Sequence, residues 1–416
     1  TCCNAGAFST IGGGLRNVAT GPVSTVGGGQ NNTASCHCST VSGGYQNTAS
    51  CYGSTVSGGR NNTASGIDST VGGGRQNGAS GNNSTISGGG ADAFPNTASA
   101  YFSTIGGGGN NWASGAKSTI SGGYGGNASG SASTISGGHN NTASAIYSTV
   151  SGGYGNVASC NYSTVGGGAG NTASCHCSTI GGGFSNTTSG VISTVSGGYT
   201  NTASGNYSTV GGGALNTASG SSSTVAGGGG IFDGNTASAS YSTVSGGARN
   251  TASADSSTVI GGRQTKVTLY GGVAHAAGRF SSNGDAQHLT LVARDSTTDA
   301  TANQVLFLNG SSERLVIPAE TTWMFTIKLA AHNDTDNEGA WWNFRGGIVR
   351  DGAGNTSLIG SVISETSADT SLSTASASVV ADDTNEALEI RVTGVASKNI
   401  RWVGVVDISQ VSWGTP

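Results

Sequence analysis

The chain has 416 residues, of which 75 are Gly and only 9% are charged, and its formal net charge is -4. So small and dispersed a charge excludes a nucleic-acid groove and a polybasic membrane patch, and no run of about 18 apolar residues is present to span a bilayer. Gly without Pro-bearing triplets excludes collagen, and a composition that otherwise reads as disorder is overruled by strict periodicity.

From Ser9 to Ser256 one fifteen-residue phrase recurs sixteen times, Ser-Thr-Val/Ile-Ser/Gly-Gly-Gly-x-x-Asn-Thr-Ala-Ser-small-x-x, and a partial copy starts at Ser257. A period this short predicts an all-β chain whose residues 1–262 form a β-solenoid, or β-roll, with one coil per repeat. Counting from the Ser, position 2 is always Thr, position 3 Val or Ile, and positions 5 and 6 Gly. Position 9 is Asn except at Gly126, and position 11 is Ala except at Thr188. The β-branched pair predicts a strand, Gly-Gly a turn with positive φ, and Asn-Thr-Ala-Ser a second strand. Alternation then turns positions 1 and 3 inward, facing 9, 11 and 13. The Asn column is expected to form a ladder of amides that satisfies buried turn groups, which is a structural role.

Position 4 points outward yet is Ser, Gly or Ala in all sixteen repeats. Enforced smallness there implies close approach of another backbone, most simply in a parallel homotrimer. Positions 7, 8, 14 and 15 vary and form the outer surface. Two repeats carry four extra residues in the same turn, at Ala91 to Pro95 and Gly230 to Gly234. Such insertions mark the solvent side, and they read as neutral length variation before contact loops. Aromatic residues recur at positions 7 and 15, among them Tyr124, Tyr154, Phe184, Tyr147 and Tyr162, and are expected to cover the ends of the narrow core.

Cys36, Cys51, Cys160 and Cys175 all occupy position 13, in pairs from adjacent coils, so their Cα atoms are expected at about 4.8 Å, which a disulfide can span. A small buried residue in the place of Gly or Ala is the other reading. Cys38 and Cys177 follow His37 and His176, and Cys2 and Cys3 open the chain. Alternation turns each His away from its flanking Cys, so no metal and no cofactor is assigned.

After Ser257 the pattern dissolves, and 263–288 reads as a neck. From Leu289 to the end, 289–416, alternating runs separated by turn signals such as Asn309-Gly and Asp351-Gly predict a C-terminal β-sandwich of jelly-roll type. Its candidate contacts with a receptor are the acidic loop with Asn333, Asp334, Asp336 and Glu338, the adjoining Trp341 and Trp342, and the turn with Asp351 and Asn355. The two Trp alternate, so one belongs to the core and only the other is a contact.

The stretches Gly284-Asp-Ala-Gln, Thr297-Thr-Asp-Ala-Thr, Leu315 to Trp323, Ala381-Asp-Asp-Thr-Asn and Lys398-Asn-Ile-Arg-Trp-Val resemble the C-terminal domain of phage and prophage tail-fibre proteins. The repeats resemble the β-roll heads of trimeric autotransporter adhesins, with a different consensus. These resemblances imply a homotrimeric extracellular or virion fibre. Its distal domain would bind a host-surface glycan or protein, and its N-terminal side would join other tail or baseplate proteins. Alternatives are a bacterial surface adhesin, an ice-binding solenoid displaying the Thr columns, and a polysaccharide-degrading tailspike. Cleavage of a glycan needs paired carboxylates at a set separation. The repeats offer only the scattered Asp68, Asp92, Asp233 and Asp255, and His275, His288 and His332 form no recognisable ligand set, so the chain is expected not to be an enzyme.

Overall fold

The computed structural model describes residues 3, 4 and 6–413. The fold is an all-β solenoid of about 18 turns followed by two antiparallel sheets, and the 3-10 turn Thr370–Leu372 is the sole helical element among the described residues. The chain divides into two compact units, Thr1–Ser204 and Gly205–Pro416.

In the first unit each coil supplies two strands of two residues. Those of the Thr-Val/Ile column, Thr10–Ile11 to Thr194–Val195, pair in parallel and in register, as Thr70 with Thr85 and Val71 with Ile86. The Thr-Ala column does the same, as Thr33 with Thr48 and Ala34 with Ala49. Single bridges between residues at position 7, such as Gln30 with Tyr45, form a third column. Val26, Ala34, Ser24 and Asn32, representing positions 3, 11, 1 and 9, are fully buried. One β-branched side chain and one methyl per coil make a thin core.

The Asn ladder supplies much of what so thin a core lacks. Asn32 donates through Nδ2 to Gly28 O of its own coil (2.9 Å) and to Gly44 O of the next (2.9 Å), while its Oδ1 accepts the backbone N–H of Asn47 (3.0 Å). Each amide thus binds turn groups that a narrow coil cannot expose to water. The glycine at position 6 is required twice over: Gly29 has φ +84, and a Cβ there would lie 2.2 Å from Gly44 O. Positions 8 and 15 are left-handed as well and accept other residues, including Val23 (φ 58) and Ile192 (φ 55), where a β-branched side chain is strained.

Position 4 is outward and lies close to the next coil. A Cβ on Gly27 would lie 2.4 Å from Ser42 O of the next coil. Yet Ser42, Ser57 and Ala226 carry a Cβ at the same position, so crowding by the next coil does not by itself account for the smallness of position 4.

In the second unit the coil outlasts its sequence signature. Lys266–Val267 pairs with Thr251–Ala252, and Val273–Ala276 with the strand Thr258–Gly262, so part of the expected neck is a further coil. Backbone pairing needs only small or apolar inward residues, here Val267 and Ala274. Thr265 takes the Asn place, its N–H donating to Asn250 Oδ1 (2.9 Å) and its hydroxyl to Gly261 O (3.2 Å). Asp285 then closes the following loop by accepting the N–H groups of Phe280 (2.9 Å), Ser281 (2.6 Å) and Ser282 (2.7 Å).

The C-terminal strands are β1 (Ala286–Thr297), β2 (Gln304–Val305), β3 (Leu315–Val316), β4 (Thr321–Asn333), β5 (Glu338–Arg350), β6 (Thr356–Ala368), β7 (Ser376–Asp382), β8 (Ala387–Thr393) and β9 (Ile400–Ser412). The larger sheet has the order β1-β9-β4-β5-β6, and Val273–Ala276 of the last coil adds to the free edge of β1. In the smaller sheet β8 pairs with β7 on one side and with β2 and β3 on the other. Leu291, Trp323, Ile327 and Trp402 of the larger sheet and Ile390 of the smaller are fully buried. Alternation leaves the other face of the larger sheet outward.

Candidate binding surfaces

The turn between β4 and β5 holds the predicted acidic loop, and its carboxylates are already engaged. Asp334 pairs with Arg401 (2.9 Å), Asp336 with Lys398, and Glu338 accepts the N–H of Ser371 (2.7 Å). The Lys398 hydrogen bond is the chief reason that the carboxyl of Asp336 lies below its ordinary range. Buried Asn333 donates to Asp336 (2.9 Å) and to Ser371 Oγ (3.1 Å) and accepts the N–H of Thr335 (2.9 Å). The loop is cross-braced and close to neutral, which suits a rigid rim better than a cation site.

Trp342 is 5% exposed, with its ring 5.3 Å from that of Trp402, whereas Trp341 is 48% exposed on the outer face. Asp351 and Asn355 form the β5–β6 turn, in which Asp351 accepts the N–H of Ala353 (2.9 Å) and both the N–H (2.8 Å) and the side-chain amide (2.8 Å) of Asn355. These bonds hold the carboxyl of Asp351 low. The turn lies at the opposite end of β5 from Glu338, roughly 40 Å away at strand rise. The predicted contacts therefore belong to two places.

Beside the acidic loop the structure shows a cleft that the sequence reading passed over. A volume of about 340 Å³ is lined by Arg294, Asp295, Ser296, Asn309, Gly310, Arg401, Trp402 and Val403. A neighbouring cleft of about 210 Å³ shares Ser296 and Arg401 and adds Asp334 and Asn399. Register explains the gathering, because Arg294 faces Val403 and Ser296 faces Arg401 across β1 and β9, on the same outward side. Among the described residues no ion pair involves Arg294, so its charge is available to a ligand. The signal in the sequence was alternation, which sets Arg294 and Ser296 on one face, but the pairing of β1 with β9 spans more than a hundred residues.

The smaller sheet carries paired carboxylates that the sequence reading also missed. Asp382 and Glu389 both bind Arg314, and Glu389 also binds Arg391 (2.7 Å). Burial pushes the Asp382 carboxyl up, but hydrogen bonds with Asn385 and Glu389 outweigh it and hold the group at about 2. Glu389 is buried under its guanidinium partners, an arrangement that braces the sheet.

On the repeats the aromatic residues stack on one another. Tyr124, His139 and Tyr154 lie at 5.1 and 5.2 Å between centroids, Tyr147 and Tyr162 at 5.2 Å, and Phe184 and Tyr199 at 5.5 Å. They are outward ladders and do not cover the core. Their faces are occupied by neighbours, so edges meet the solvent. Asp92 of the first insertion binds Arg75 (2.5 Å), and Asp233 of the second binds Arg249 (2.5 Å). Phe94 packs on Tyr124, whereas Phe232 is 84% exposed. The thiols of Cys36, Cys51, Cys160 and Cys175 are free and half-buried, and Cys38 Sγ lies 3.0 Å from His37 Nδ1. Cys2 and the Cys3 side chain lie outside the described residues.

No protein family and no curated protein matches the chain. Among solved structures it is similar to the tailspike protein gp49 of Acinetobacter baumannii bacteriophage Fri1, a capsular polysaccharide depolymerase, at 10% identity over 99% of this chain and 71% of that one, with a TM-score of 0.24. It is similar also to the tailspike of Acinetobacter phage vB_ApiP_P1, at 9% identity, 99% and 82% coverage and a TM-score of 0.23. A third is the tailspike of Acinetobacter baumannii phage AM24, at 9% identity, 99% and 78% coverage and a TM-score of 0.19. The expectation that the chain is not an enzyme is withdrawn, since the Fri1 protein is described as a capsular polysaccharide depolymerase. At such identities and TM-scores the likeness assigns neither activity nor substrate to this chain. No helix among the described residues is long and apolar enough to cross a membrane.

Proposed function

We propose that the chain is a fibre protein of a phage or phage-like particle, in which the repeats form a shaft and residues 289–416, a β-sandwich of jelly-roll type, contact a glycan or protein of a host surface. The observation that carries this reading is the pair of clefts around Arg401, with Arg294 unpaired and Trp341 displayed on the same sheet face. Guanidinium groups match carboxylates and hydroxyls, and an exposed indole offers a stacking surface. The Asn column of the repeats, by contrast, is spent on backbone groups of the coils. A parallel homotrimer is supported by the outward Met324 (67% exposed), Ile359 and Ile363 of β4 and β6, which a second copy would cover. Other tail proteins would join on the N-terminal side.

The test compares the full chain with R294A/R401A for binding to host cells and to arrayed bacterial surface glycans, with release of reducing ends followed in the same samples. Loss of binding by the folded variant supports the placement. Undiminished binding refutes it, and released reducing ends replace simple adhesion with cleavage. Sedimentation at a single-chain mass refutes the trimer.

A further inference from the structure

His275 and His288 are 13 residues apart in the sequence, and the turn from the last coil into β1 brings them face to face. They are register partners on antiparallel strands, and both are exposed. Their ring centroids are 5.4 Å apart, with planes inclined by 54°. Two imidazoles bound through nitrogen to one tetrahedral Zn²⁺, at about 2.0–2.1 Å each, place their centroids about 5.2 Å apart. The inclination is far from the parallel stacking of the Tyr and His ladders, where rings turn faces, not nitrogens, toward each other. Neither imidazole has a hydrogen-bond partner among the described residues, so the ring nitrogens are not committed elsewhere.

The surroundings suit an ion as well. On the coil side His275 is registered with Gly261, and even a Cβ at that glycine would meet nothing within 4 Å. On the other side His288 is registered with Ser409, so no cation flanks the pair in its row. Among the described residues no group of three or more His, Cys, Asp or Glu is placed to hold a metal. The open side therefore leaves the remaining coordination positions to water.

We propose that His275 and His288 form a two-imidazole site for a borderline divalent transition metal of the Zn²⁺, Ni²⁺ or Cu²⁺ class, which clips the last coil to the first long strand of the larger sheet. The clip joins a parallel pairing to an antiparallel one, at the place where the repeat has lost its Asn ladder. The site is independent of the receptor reading above.

Zn²⁺ is titrated into the tag-free full chain by calorimetry, beside H275A, H288A, H275A/H288A and, as a control at a distant exposed histidine, H332A. The expected result is one Zn²⁺ equivalent whose affinity falls about tenfold or more in either single variant, vanishes in the double variant and persists in H332A. Zn²⁺ should also raise the unfolding temperature of the wild type and not of H275A/H288A. An identical isotherm for wild type and double variant overturns the proposal, because binding then belongs to the thiols or to another histidine. Should a variant fail to fold, imidazole ¹⁵N resonances of the wild type decide: two rings shifting together with Zn²⁺ support the site, and unshifted rings at saturation overturn it.

Discussion

Asn156→Ala tests whether the amide ladder, more than the apolar column, holds the coils together. Asn156 is fully buried and donates to Gly152 O (2.8 Å) and Gly168 O (2.9 Å) while accepting the N–H of Asn171 (2.9 Å). Gly168 O keeps a second donor, the N–H of Tyr154 (2.9 Å), so the truncation strands chiefly Gly152 O and Asn171 N–H. At about 1–3 kcal/mol for each of the two stranded buried groups, the cost is about 2 to 6 kcal/mol. Coils contact only their neighbours, so the damage is local. Hydrogen exchange should quicken first in residues 141–186, before any change in distant coils. The chain also contains the inverse experiment. Gly126 stands where the ladder needs Asn, yet its N–H still donates to Asn111 Oδ1 (2.9 Å). A Cβ at Gly126 would meet that oxygen at 3.0 Å, a distance that a side-chain amide can relax, so G126N should stabilise by about 1 kcal/mol. If N156A costs less than about 1 kcal/mol in denaturant and leaves exchange of the flanking coils unchanged, the ladder is ornamental and the reasoning fails.

Trp342→Ala should cost about 3 to 5 kcal/mol by opening the core beside Trp402, whereas Trp341→Ala should stay within about 1 kcal/mol and lower host-surface binding instead, as read by denaturation and cell-binding assays. The folded pKa of Asp382, about 2 against an ordinary 3.8, makes its contribution to stability complete above about pH 4 and progressively lost as pH falls through 2. D382N should therefore flatten that part of the stability profile in acid titrations followed by circular dichroism. Oxidised glutathione should convert Cys36 with Cys51, and Cys160 with Cys175, to disulfides, each losing two thiol hydrogens while one glutathione disulfide is reduced. Intact-mass and peptide mapping would instead find these four thiols unpaired if the coil spacing argument is wrong.

What the sequence made legible follows from where side-chain identity carries the structure. In the coils, Val or Ile at 3, Asn at 9 and Ala at 11 each have one partner type, repeated, so position and role coincide. Position 4 shows the limit of that logic: an outward small residue looks the same whether the neighbour that limits it belongs to its own chain or to another. Lys266 to Ala276 shows a second limit, since a further coil persists there on backbone pairing and two small inward residues, without the phrase that announced the others. The binding surfaces were hardest to read for a third reason. Arg294 and Arg401, or His275 and His288, acquire meaning only through strand register, and register is set by the packing of whole sheets rather than by spacing along the chain. The acidic loop was conspicuous as a run of carboxylates, yet Lys398 and Arg401, more than sixty residues on, neutralise it. Conspicuous charge in this chain marks bracing, while the groups left available for a ligand are the inconspicuous ones that register brings to the same face.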